Sequence, residues 1–282
     1  MTIKELLNKG VYELKEYNIT SPILKSKLIL QKVLNKPKEY LLIYDTQEVS
    51  EKTKQTYLEL IEKVAKGMPV QYITRHQEFM KLDFYVDERV LIPRPDTEIL
   101  VEEVIQLAEK MESCKILDLG TGSGAIAVSL AKYIENCYVY ASDTKEEAIE
   151  VAIKNSEKNN ISEDKIEFIE SDLFHNMPNY KFDIIVSNPP YISTQEIKTL
   201  DKEVQAEPIS ALDGGKDGLN FYRSIIKEAA KHLYKSGYLC LEIGYDQKEK
   251  VEELLYENGE YTNIYTKQDM CGNDRVVVAS KK

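Results

Sequence analysis

The feature that most constrains the fold is a short apolar run that ends abruptly at two prolines. Residues Phe182–Ser187 contain the β-branched sequence Ile-Ile-Val, which is typical of a strand buried inside a parallel sheet. Asn188 is followed by Pro189 and Pro190, which lack the N–H group that a sheet ladder needs. The strand should therefore stop at Asn188 and present the ring of Tyr191 just beyond its carboxyl end.

This motif offers a pair of hydrogen-bond acceptors. Ligands bind at the carboxyl ends of strands in open α/β sheets. The side-chain oxygen of Asn188 and the carbonyl of Pro189 could accept both hydrogens of a planar –NH2 group. Pro190 would stiffen the turn, and Tyr191 would pack against the flat group. An ordinary strand followed by a Pro-Pro turn is the alternative, and the motif alone does not exclude it.

Strand and helix patterns alternate from residue 115 onward, which predicts an α/β fold with a doubly wound, mostly parallel sheet. The predicted strands are Lys115–Leu119, Tyr138–Ser142, Ile166–Glu170, Phe182–Ser187 and Tyr238–Ile243. Two further runs, Tyr261–Thr266 and Arg275–Ala279, flank a turn at Gly272-Asn273 and predict an antiparallel edge.

The first 76 residues show apolar residues at helical spacing and no strand pattern, which predicts a small bundle of short helices. Ser21, which precedes Pro22, and Ser50 are predicted helix N-caps. Gly67 is predicted to end the last long helix. The bundle could be a scaffold or could dock a macromolecular substrate.

A β-hairpin is predicted between the bundle and the sheet. Its strands would be Phe79–Val86 and Arg89–Ile92, with the turn at Asp87-Glu88. We therefore predict three parts, with a helical bundle in residues 1–76, a linking β-hairpin in residues 77–95 and the α/β domain in residues 96–282. Next to the hairpin, two prolines bracket Arg94, and its residue type alone assigns it no role.

Charge and composition exclude several classes of protein. The net charge is −11, and residues 1–80 hold 13 Lys and Arg against 10 Asp and Glu, whereas the rest holds 24 against 38. So acidic an α/β domain is a poor match for duplex DNA, and we predict no direct nucleic-acid partner. The chain has no apolar run of membrane-spanning length and no apolar signal region, so we expect a cytoplasmic protein without membrane contact.

The cysteines and histidines do not suggest a metal centre. The cysteines are widely spaced, three fall in or beside predicted strands, and the histidines are scattered. Buried free thiols are therefore expected rather than disulfides, and no metal site is predicted.

A glycine-rich turn follows the strand that ends at Leu119. Its residues are Gly120, Thr121, Gly122, Ser123 and Gly124. Glycines let a ligand approach the backbone, and Asp143, after the next strand, could accept both hydroxyls of a ribose. Asp118 would suit an ammonium group at the other end of the ligand. This pattern favours an amino-acid-bearing nucleoside such as S-adenosylmethionine, although another nucleotide remains open.

Two residues after the third strand could hold the base of such a nucleoside. Asp172 could accept from the exocyclic amine of adenine, and Leu173 could cover the ring; a solvated loop acid is the alternative for Asp172. An –NH2 group held by Asn188 would then lie beside a sulfonium methyl. Accepting its two hydrogens would aim the nitrogen lone pair at the methyl group.

Taken together, these motifs resemble those of the bacterial protein-(glutamine-N5) methyltransferases that modify peptide chain release factors. The resemblance rests on motifs at Gly67–Ile73, Glu78-Phe79, Leu91–Glu98, Asp118–Gly124, Ser187–Ile192, Glu207-Pro208, Ala211-Leu212 and Gly214–Leu219. It therefore covers essentially the whole chain. The Asn-Pro-Pro-Tyr motif is shared with adenine-N6 DNA methyltransferases, whereas the segment around Arg94 is more particular to this family.

The resemblance implies a Rossmann-like class I methyltransferase sheet and transfer of a methyl group from S-adenosylmethionine. The acceptor would be the side-chain amide of the glutamine in the Gly-Gly-Gln tip of class 1 bacterial release factors. In such enzymes the glycine turn, Asp143 and Asn188 bind the cofactor, residues 188–191 clamp the glutamine, and the helical domain engages the release factor. Leu173 departs from relatives that carry an aromatic residue there. An adenine-N6 nucleic-acid methyltransferase and a non-enzymatic S-adenosylmethionine-binding regulator are the rival hypotheses.

Overall fold

The structure is a computed structural model that describes residues 1–177 and 180–282, and it divides the chain into two compact units. The helical unit comprises Met1–His76 and Leu200–Ala206. The sheet unit comprises Gln77–Thr199 and Glu207–Lys282. Within the described parts of the chain, none of the helices has both the length and the apolar character needed to cross a membrane.

Helices make up the first part of the chain, and helices and strands alternate after it. The helices are α1 (Ile3–Glu16), α2 (Pro22–Leu34), α3 (Lys38–Ile43), α4 (Glu51–Ala65), α5 (Val70–Thr74), α6 (Glu98–Ala108), α7 (Ala125–Tyr133), α8 (Glu146–Lys158), α9 (Lys202–Gln205), α10 (Asn220–His232) and α11 (Lys248–Asn258). The strands are β1 (Gln77–Phe79), β2 (Leu82–Phe84), β3 (Cys114–Leu119), β4 (Cys137–Asp143), β5 (Ile166–Glu170), β6 (Phe182–Ser187), β7 (Leu233–Glu242), β8 (Tyr261–Gln268) and β9 (Asp274–Lys281). Short 3-10 turns occur at Pro95–Thr97, Glu196–Thr199 and Ile209–Ala211.

The helical unit has its own apolar core, to which α1, α2, α3 and α4 contribute, as the periodicity predicted. Ser50 caps α4 by accepting a hydrogen bond from the Thr53 backbone N–H at 3.1 Å, which confirms that prediction. Ser21 occupies the N-cap position before Pro22, the first residue of α2, as predicted, but its side chain does not cap the helix. Ser21 has a left-handed backbone (φ 52°), and its side chain makes no cap hydrogen bond, because a capping hydroxyl reaches the first turn from an extended backbone.

Seven of the described strands form one sheet in the order β5-β4-β3-β6-β7-β9-β8. The first five pair in parallel, and β9 pairs antiparallel with both β7 and β8. This confirms the predicted doubly wound sheet with an antiparallel edge. The carboxyl ends of β3 and β6 lie side by side at the point where the strand order reverses, which is where open α/β sheets bind ligands.

The hairpin lies earlier in the chain than predicted. Strands β1 and β2 pair antiparallel, and Met80 and Lys81 form the turn with left-handed backbones (φ 50° and 57°). The chain does turn at Asp87, whose carboxylate accepts from the Arg89 backbone N–H at 3.1 Å, but the predicted hairpin around it is wrong, because Arg89–Ile92 forms no strand. The hairpin belongs to the sheet unit.

Free thiols were predicted correctly. Cys114, Cys137 and Cys240 are buried and Cys271 is exposed, all as free cysteines. The three buried thiols lie in β3, β4 and β7, where they contribute to the apolar core on one face of the sheet.

Candidate active site

A cavity of about 420 Å³ opens at the carboxyl ends of the parallel strands in the sheet unit. Its wall contains six of the nine residues predicted to bind a cofactor, together with the two prolines of the motif after β6. The predicted residues in the wall are Gly120, Gly122, Asp143, Asp172, Leu173, Asn188, Pro189 and Pro190. The topology therefore brings the glycine turn, the acid at the end of β4 and the Asn-Pro-Pro motif to one cavity.

The glycines of the turn have two different roles. Gly120 and Gly122 have positive φ angles (74° and 54°), and a Cβ at either position would meet nothing within 4 Å. Gly124 also has a positive φ of 79°, but its Cβ would lie 3.0 Å from the Ala152 Cβ on α8. The first two glycines thus leave space open at the cavity, whereas Gly124 lets α7 pack closely against α8.

Asp118 shapes the turn from below and does not line the cavity. Its Oδ2 accepts from the Thr121 hydroxyl at 2.7 Å and from the Ala127 backbone N–H at 3.2 Å. Burial raises the pKa of the Asp118 carboxyl to about 7, and these hydrogen bonds offset part of the rise. The prediction that Asp118 faces an ammonium group is therefore wrong, since its side chain is fully buried beneath the turn.

Thr121 and Ser123 support the turn from behind. The Thr121 hydroxyl is committed to Asp118, and the Ser123 carbonyl accepts from the Asn155 side-chain amide at 2.8 Å. Both residues are buried and neither lies in the cavity wall. Their placement suits a structural role rather than contact with a ligand.

Asp143 reaches the cavity from the end of β4. Its Oδ2 accepts from the Gly122 backbone N–H at 2.9 Å, and its Oδ1 accepts from the Lys145 backbone N–H at 3.1 Å. Burial raises the pKa of Asp143, against the lowering effect of these backbone hydrogen bonds. Each carboxylate oxygen retains acceptor capacity, which is what a pair of vicinal hydroxyls requires.

Asp172 and Leu173 also line the cavity. Asp172 is exposed, and Leu173 is partly buried with a left-handed backbone (φ 48°). A positive φ is uncommon for a leucine, and the Ser171 hydroxyl braces it by donating to the Leu173 carbonyl at 2.9 Å. The brace holds this side chain at the cavity wall.

The orientation of the Asn188 amide is the most informative detail of the site. Its Nδ2 donates to the Thr97 hydroxyl oxygen at 3.1 Å. Among the described residues, no donor engages the Asn188 Oδ1, so that oxygen keeps its acceptor capacity in a residue that lines the cavity. The strand end itself is fixed by the Ser187 hydroxyl, which donates to the Leu119 carbonyl at 2.7 Å.

Tyr191 is held beside the cavity and is not part of its wall. Its hydroxyl donates to the Glu242 Oε1 at 3.4 Å, and its carbonyl accepts from the Gln247 side-chain amide at 2.9 Å. Burial, together with the negative charge of Glu242, raises the pKa of the Tyr191 phenol. The contact between its ring and a bound amide stays a prediction.

Arg94 gains a partner that its residue type could not predict. Its guanidinium donates to Oε1 of the buried Glu207, whose Oε2 accepts from the Ile92 backbone N–H at 2.9 Å. Pro208, next to Glu207, lies in the cavity wall. The ion pair therefore connects the segment before α6 to one side of the cavity.

Comparisons with known proteins agree with this geometry. A family model described as "Methyltransferase small domain" matches residues 95–215, and one described as "PrmC N-terminal domain" matches residues 5–74. A protein of Clostridium acetobutylicum named "Release factor glutamine methyltransferase" is 42% identical over 282 residues, which cover 99% of this chain and 98% of that protein. The chain belongs to the release factor glutamine methyltransferase family.

Other relatives support the same family. Proteins of this name from Fusobacterium nucleatum and Moorella thermoacetica are 42% and 38% identical, covering 98% and 100% of this chain and 78% and 99% of those proteins. Family membership confirms the predicted resemblance and the assignment of the chain as a methyltransferase.

Solved structures support the fold. A methyltransferase from Pyrococcus furiosus has a TM-score of 0.52 and 22% identity, covering 79% of this chain and 98% of that chain. A ribosomal protein L11 methylase from Lactobacillus delbrueckii has a TM-score of 0.51 and 23% identity, covering 70% and 84%. These likenesses confirm a Rossmann-like methyltransferase fold.

Sequence reasoning missed two buried residues behind the family's Asn-Pro-Pro-Tyr motif. Thr97 is 4% exposed and binds Asn188, and Glu242 is 1% exposed at the end of β7. Burial raises the pKa of Glu242 to about 7, although hydrogen bonding by Thr97 and the positive charge of Arg275 act in the opposite direction. A single acid inside the apolar run Cys240-Leu241-Glu242-Ile243 was the available signal for Glu242.

Proposed function

We propose that this protein transfers a methyl group from S-adenosylmethionine to the side-chain amide nitrogen (N5) of a glutamine, namely the one in the Gly-Gly-Gln motif of class 1 bacterial release factors. The observation that carries the proposal is the commitment of the Asn188 Nδ2 to Thr97, which leaves Oδ1 as an acceptor in a residue of the cavity wall. An amide –NH2 group is the complementary donor.

The cavity suits the proposed methyl donor. Gly120 and Gly122 leave open space that a Cβ would enter, and Asp143 offers acceptors for the two hydroxyls of a ribose. Leu173 supplies an apolar wall for a base, and the exposed Asp172 could accept from an exocyclic amine. When bound, S-adenosylmethionine supplies an electrophilic methyl group on a sulfonium sulfur.

The residues after β6 would position the nucleophile. An amide nitrogen is a weak nucleophile because its lone pair is delocalised into the carbonyl group. Acceptance of its two hydrogens by the Asn188 Oδ1 and the Pro189 carbonyl would raise electron density on the nitrogen and orient its lone pair. Orientation of this kind can lower a barrier by about 7 kcal/mol. The proton can leave to water after transfer, so the proposal requires no strong base in the cavity.

The relatives' name supports release factors as the protein substrate. We propose that the helical unit docks the release factor. We also propose three domains, namely a helical domain in residues 1–76, a linking hairpin in residues 77–95 and a methyltransferase domain in residues 96–282. Release factors act on ribosomes, so the proposal also assigns the protein to the cytoplasm.

A transfer assay tests this proposal. Purified release factor is incubated with the protein and S-adenosylmethionine labelled in its methyl group. The expected result is label on the wild-type release factor and none when its Gly-Gly-Gln glutamine is replaced by alanine. Label on DNA or RNA in parallel samples, weakened steeply by salt, would instead support an adenine-N6 nucleic-acid methyltransferase and overturn the proposal.

A further inference from the structure

A network of buried and partly buried polar side chains, formed by Thr97, Glu242 and Tyr191, lies behind Asn188. The proposed transfer step does not itself use Thr97 or Glu242. The Asn188 Nδ2 donates to the Thr97 hydroxyl oxygen at 3.1 Å. Thr97 lies close enough to the buried Glu242 carboxyl to lower its pKa, and the Tyr191 hydroxyl donates to the Glu242 Oε1 at 3.4 Å. The sheet register explains this proximity, because Leu241 pairs with Ser187, so Glu242 and Asn188 are the next residues on neighbouring strands.

The direction of each hydrogen bond in this network follows from the number of protons that each group can donate. A threonine hydroxyl has one proton to donate, and Thr97 already accepts from Asn188. An ionised carboxylate can only accept, so at pH values above its raised pKa Glu242 would accept a hydrogen bond from the Thr97 hydroxyl and keep the Thr97 oxygen facing Asn188 as an acceptor. Without that acceptor, the Thr97 proton could turn to the Asn188 Oδ1, and the amide could reverse.

Glu242 is not explained by packing. It is 1% exposed within an apolar sheet, and its Oε2 has no partner at hydrogen-bond geometry among the described residues. A buried carboxylate is costly to the fold unless it is paired. The Glu242 side chain is also absent from the cavity wall, so it does not contact a substrate bound there.

We propose that Glu242 is a positioning residue that acts through Thr97 to fix which end of the Asn188 amide faces the substrate. The Tyr191 hydroxyl donates to Oε1 of the same carboxylate, so one buried group orients two residues of the motif. The inference deepens the proposed function and rests on it for the identity of the substrate amide. The orientation of Asn188 can be measured without any substrate.

Kinetics of four variants test the inference. Thr97→Val removes the hydroxyl at nearly constant volume, and Glu242→Met removes the carboxylate. Each should lower kcat about a hundredfold while S-adenosylhomocysteine affinity stays that of the wild type. Thr97→Ser keeps the hydroxyl and should restore most of kcat. The Thr97→Val/Glu242→Met double variant should be no slower than either single variant, because both act through one path.

Glu103→Gln is the matched control. Glu103 is also a buried glutamate of the sheet unit and accepts from the Tyr265 hydroxyl at 2.6 Å, but it is not part of the network behind Asn188. Its kcat should equal that of the wild type. If Glu242→Met keeps the wild-type kcat, or if the losses of the two single variants multiply in the double variant, the inference is overturned. Should Glu242→Met fail to fold, the contrast between Thr97→Val and Thr97→Ser decides.

A second readout separates this inference from the proposed function. Spectra of protein with 15N-labelled asparagine report the Asn188 side-chain amide, which is assigned by its loss in Asn188→Ala. Its Nδ2 protons should exchange slowly in the wild type and in Thr97→Ser, and faster in Thr97→Val and Glu242→Met. Equal exchange in all four proteins overturns the inference. Slow exchange in a wild-type protein that does not methylate release factor would overturn only the proposed function.

Discussion

The side-chain amide of Gln247 donates a hydrogen bond to the carbonyl oxygen of Tyr191 at 2.9 Å. The same amide donates to the Gly218 carbonyl at 3.4 Å, and the Gln247 Oε1 accepts from the Gly244 backbone N–H at 3.0 Å. Gln247 is buried at the start of α11. One side chain therefore fixes three backbone segments that meet behind the Asn-Pro-Pro-Tyr motif.

Replacement of Gln247 by leucine should weaken both the fold and the site. It leaves buried carbonyl groups unpaired, which should lower the free energy of unfolding by about 1–3 kcal/mol, as measured by urea denaturation. Methyl transfer should fall more than the fraction of folded protein does, because the backbone at Tyr191 loses its anchor. The exposed Gln268→Ala is the control, and an equal effect of both variants would contradict this interpretation.

The glycine turn makes a prediction with an internal control. Gly122→Ala places a methyl group in the open space at the cavity, so S-adenosylhomocysteine affinity should be lost, and the left-handed backbone should cost about 1–2 kcal/mol. Gly259→Ala has a similar φ of 77° and open space but lies outside the cavity wall. It should be destabilised to the same extent and bind normally. Calorimetric titration and urea denaturation separate the two effects.

Gly124→Ala should behave in the opposite way to Gly122→Ala. Its methyl group would meet the Ala152 Cβ and Cα at 3.0 Å and 3.1 Å, so α7 and α8 must separate. We expect a loss of about 1–3 kcal/mol in unfolding free energy beyond that of Gly259→Ala. Stability equal to that of Gly259→Ala would show that close helix packing does not explain this glycine.

Asp143→Asn should weaken cofactor binding. The change removes the charge and half of the acceptor capacity, and hydrogen bonds to a charged group contribute roughly 1.5–3 kcal/mol. The dissociation constant for S-adenosylhomocysteine should therefore rise about tenfold or more. Asp164→Asn, at an exposed position, should bind as the wild type does. Unchanged binding in Asp143→Asn would remove this residue from the cofactor site.

Glu242 should make stability depend on pH in a defined direction. Burial raises its pKa from 4.5 in the unfolded chain to about 7 in the native state. Between these values the native state holds a proton that the unfolded chain has released, so the free energy of unfolding falls as pH rises through this window. Above pH 7 the stabilisation is gone, whereas below 4.5 it is complete.

Glu242→Gln should therefore reduce the loss of stability between about pH 5 and pH 8, by on the order of 1 kcal/mol for each unit of pKa shift. Burial also raises the pKa of Asp118, so part of the dependence of stability on pH should remain in the Glu242→Gln variant. Urea denaturation at the two pH values measures the difference. The same slope in wild type and variant would show that Glu242 does not titrate in this window.

Glu242 also faces charged and titratable groups from each neighbouring element. These groups are Arg275 on β9, Asp96 in the turn before α6, the Tyr191 hydroxyl after β6 and the Tyr222 hydroxyl on α10. Arg275 lowers the pKa of Glu242 and Asp96 raises it. Neutralising Arg275 should therefore raise the native-state pKa of Glu242 further, so the alkaline end of the stability slope should move to higher pH.

Much of the fold could be predicted from local sequence patterns. The strands around Leu119 and Ser187 could be predicted because apolar runs and their glycine or proline ends are local signals. The hairpin turn at Met80 and Lys81 could not, because both residues take left-handed backbones without a glycine or asparagine to indicate them. Membership of residues 200–206 in the helical unit depends on tertiary contacts, which no local pattern records.

The site divides in the same way. Asn188 and Asp143 were predictable because parallel strands bring their carboxyl ends to one edge. Asp118 was placed wrongly because sequence proximity to the turn does not reveal that its carboxylate satisfies the N-terminus of α7. Glu242 comes beside Asn188 only through the register of β6 and β7, and Thr97 reaches Asn188 from the turn before α6, which no local pattern records.

The most direct test of the central claim is peptide mass spectrometry of a release factor after incubation with the protein and S-adenosylmethionine. The account predicts one added methyl group, located on the side chain of the Gly-Gly-Gln glutamine, and none with Asn188→Ala that still binds S-adenosylhomocysteine. A methyl group on another residue, or full methylation by Asn188→Ala, would contradict it.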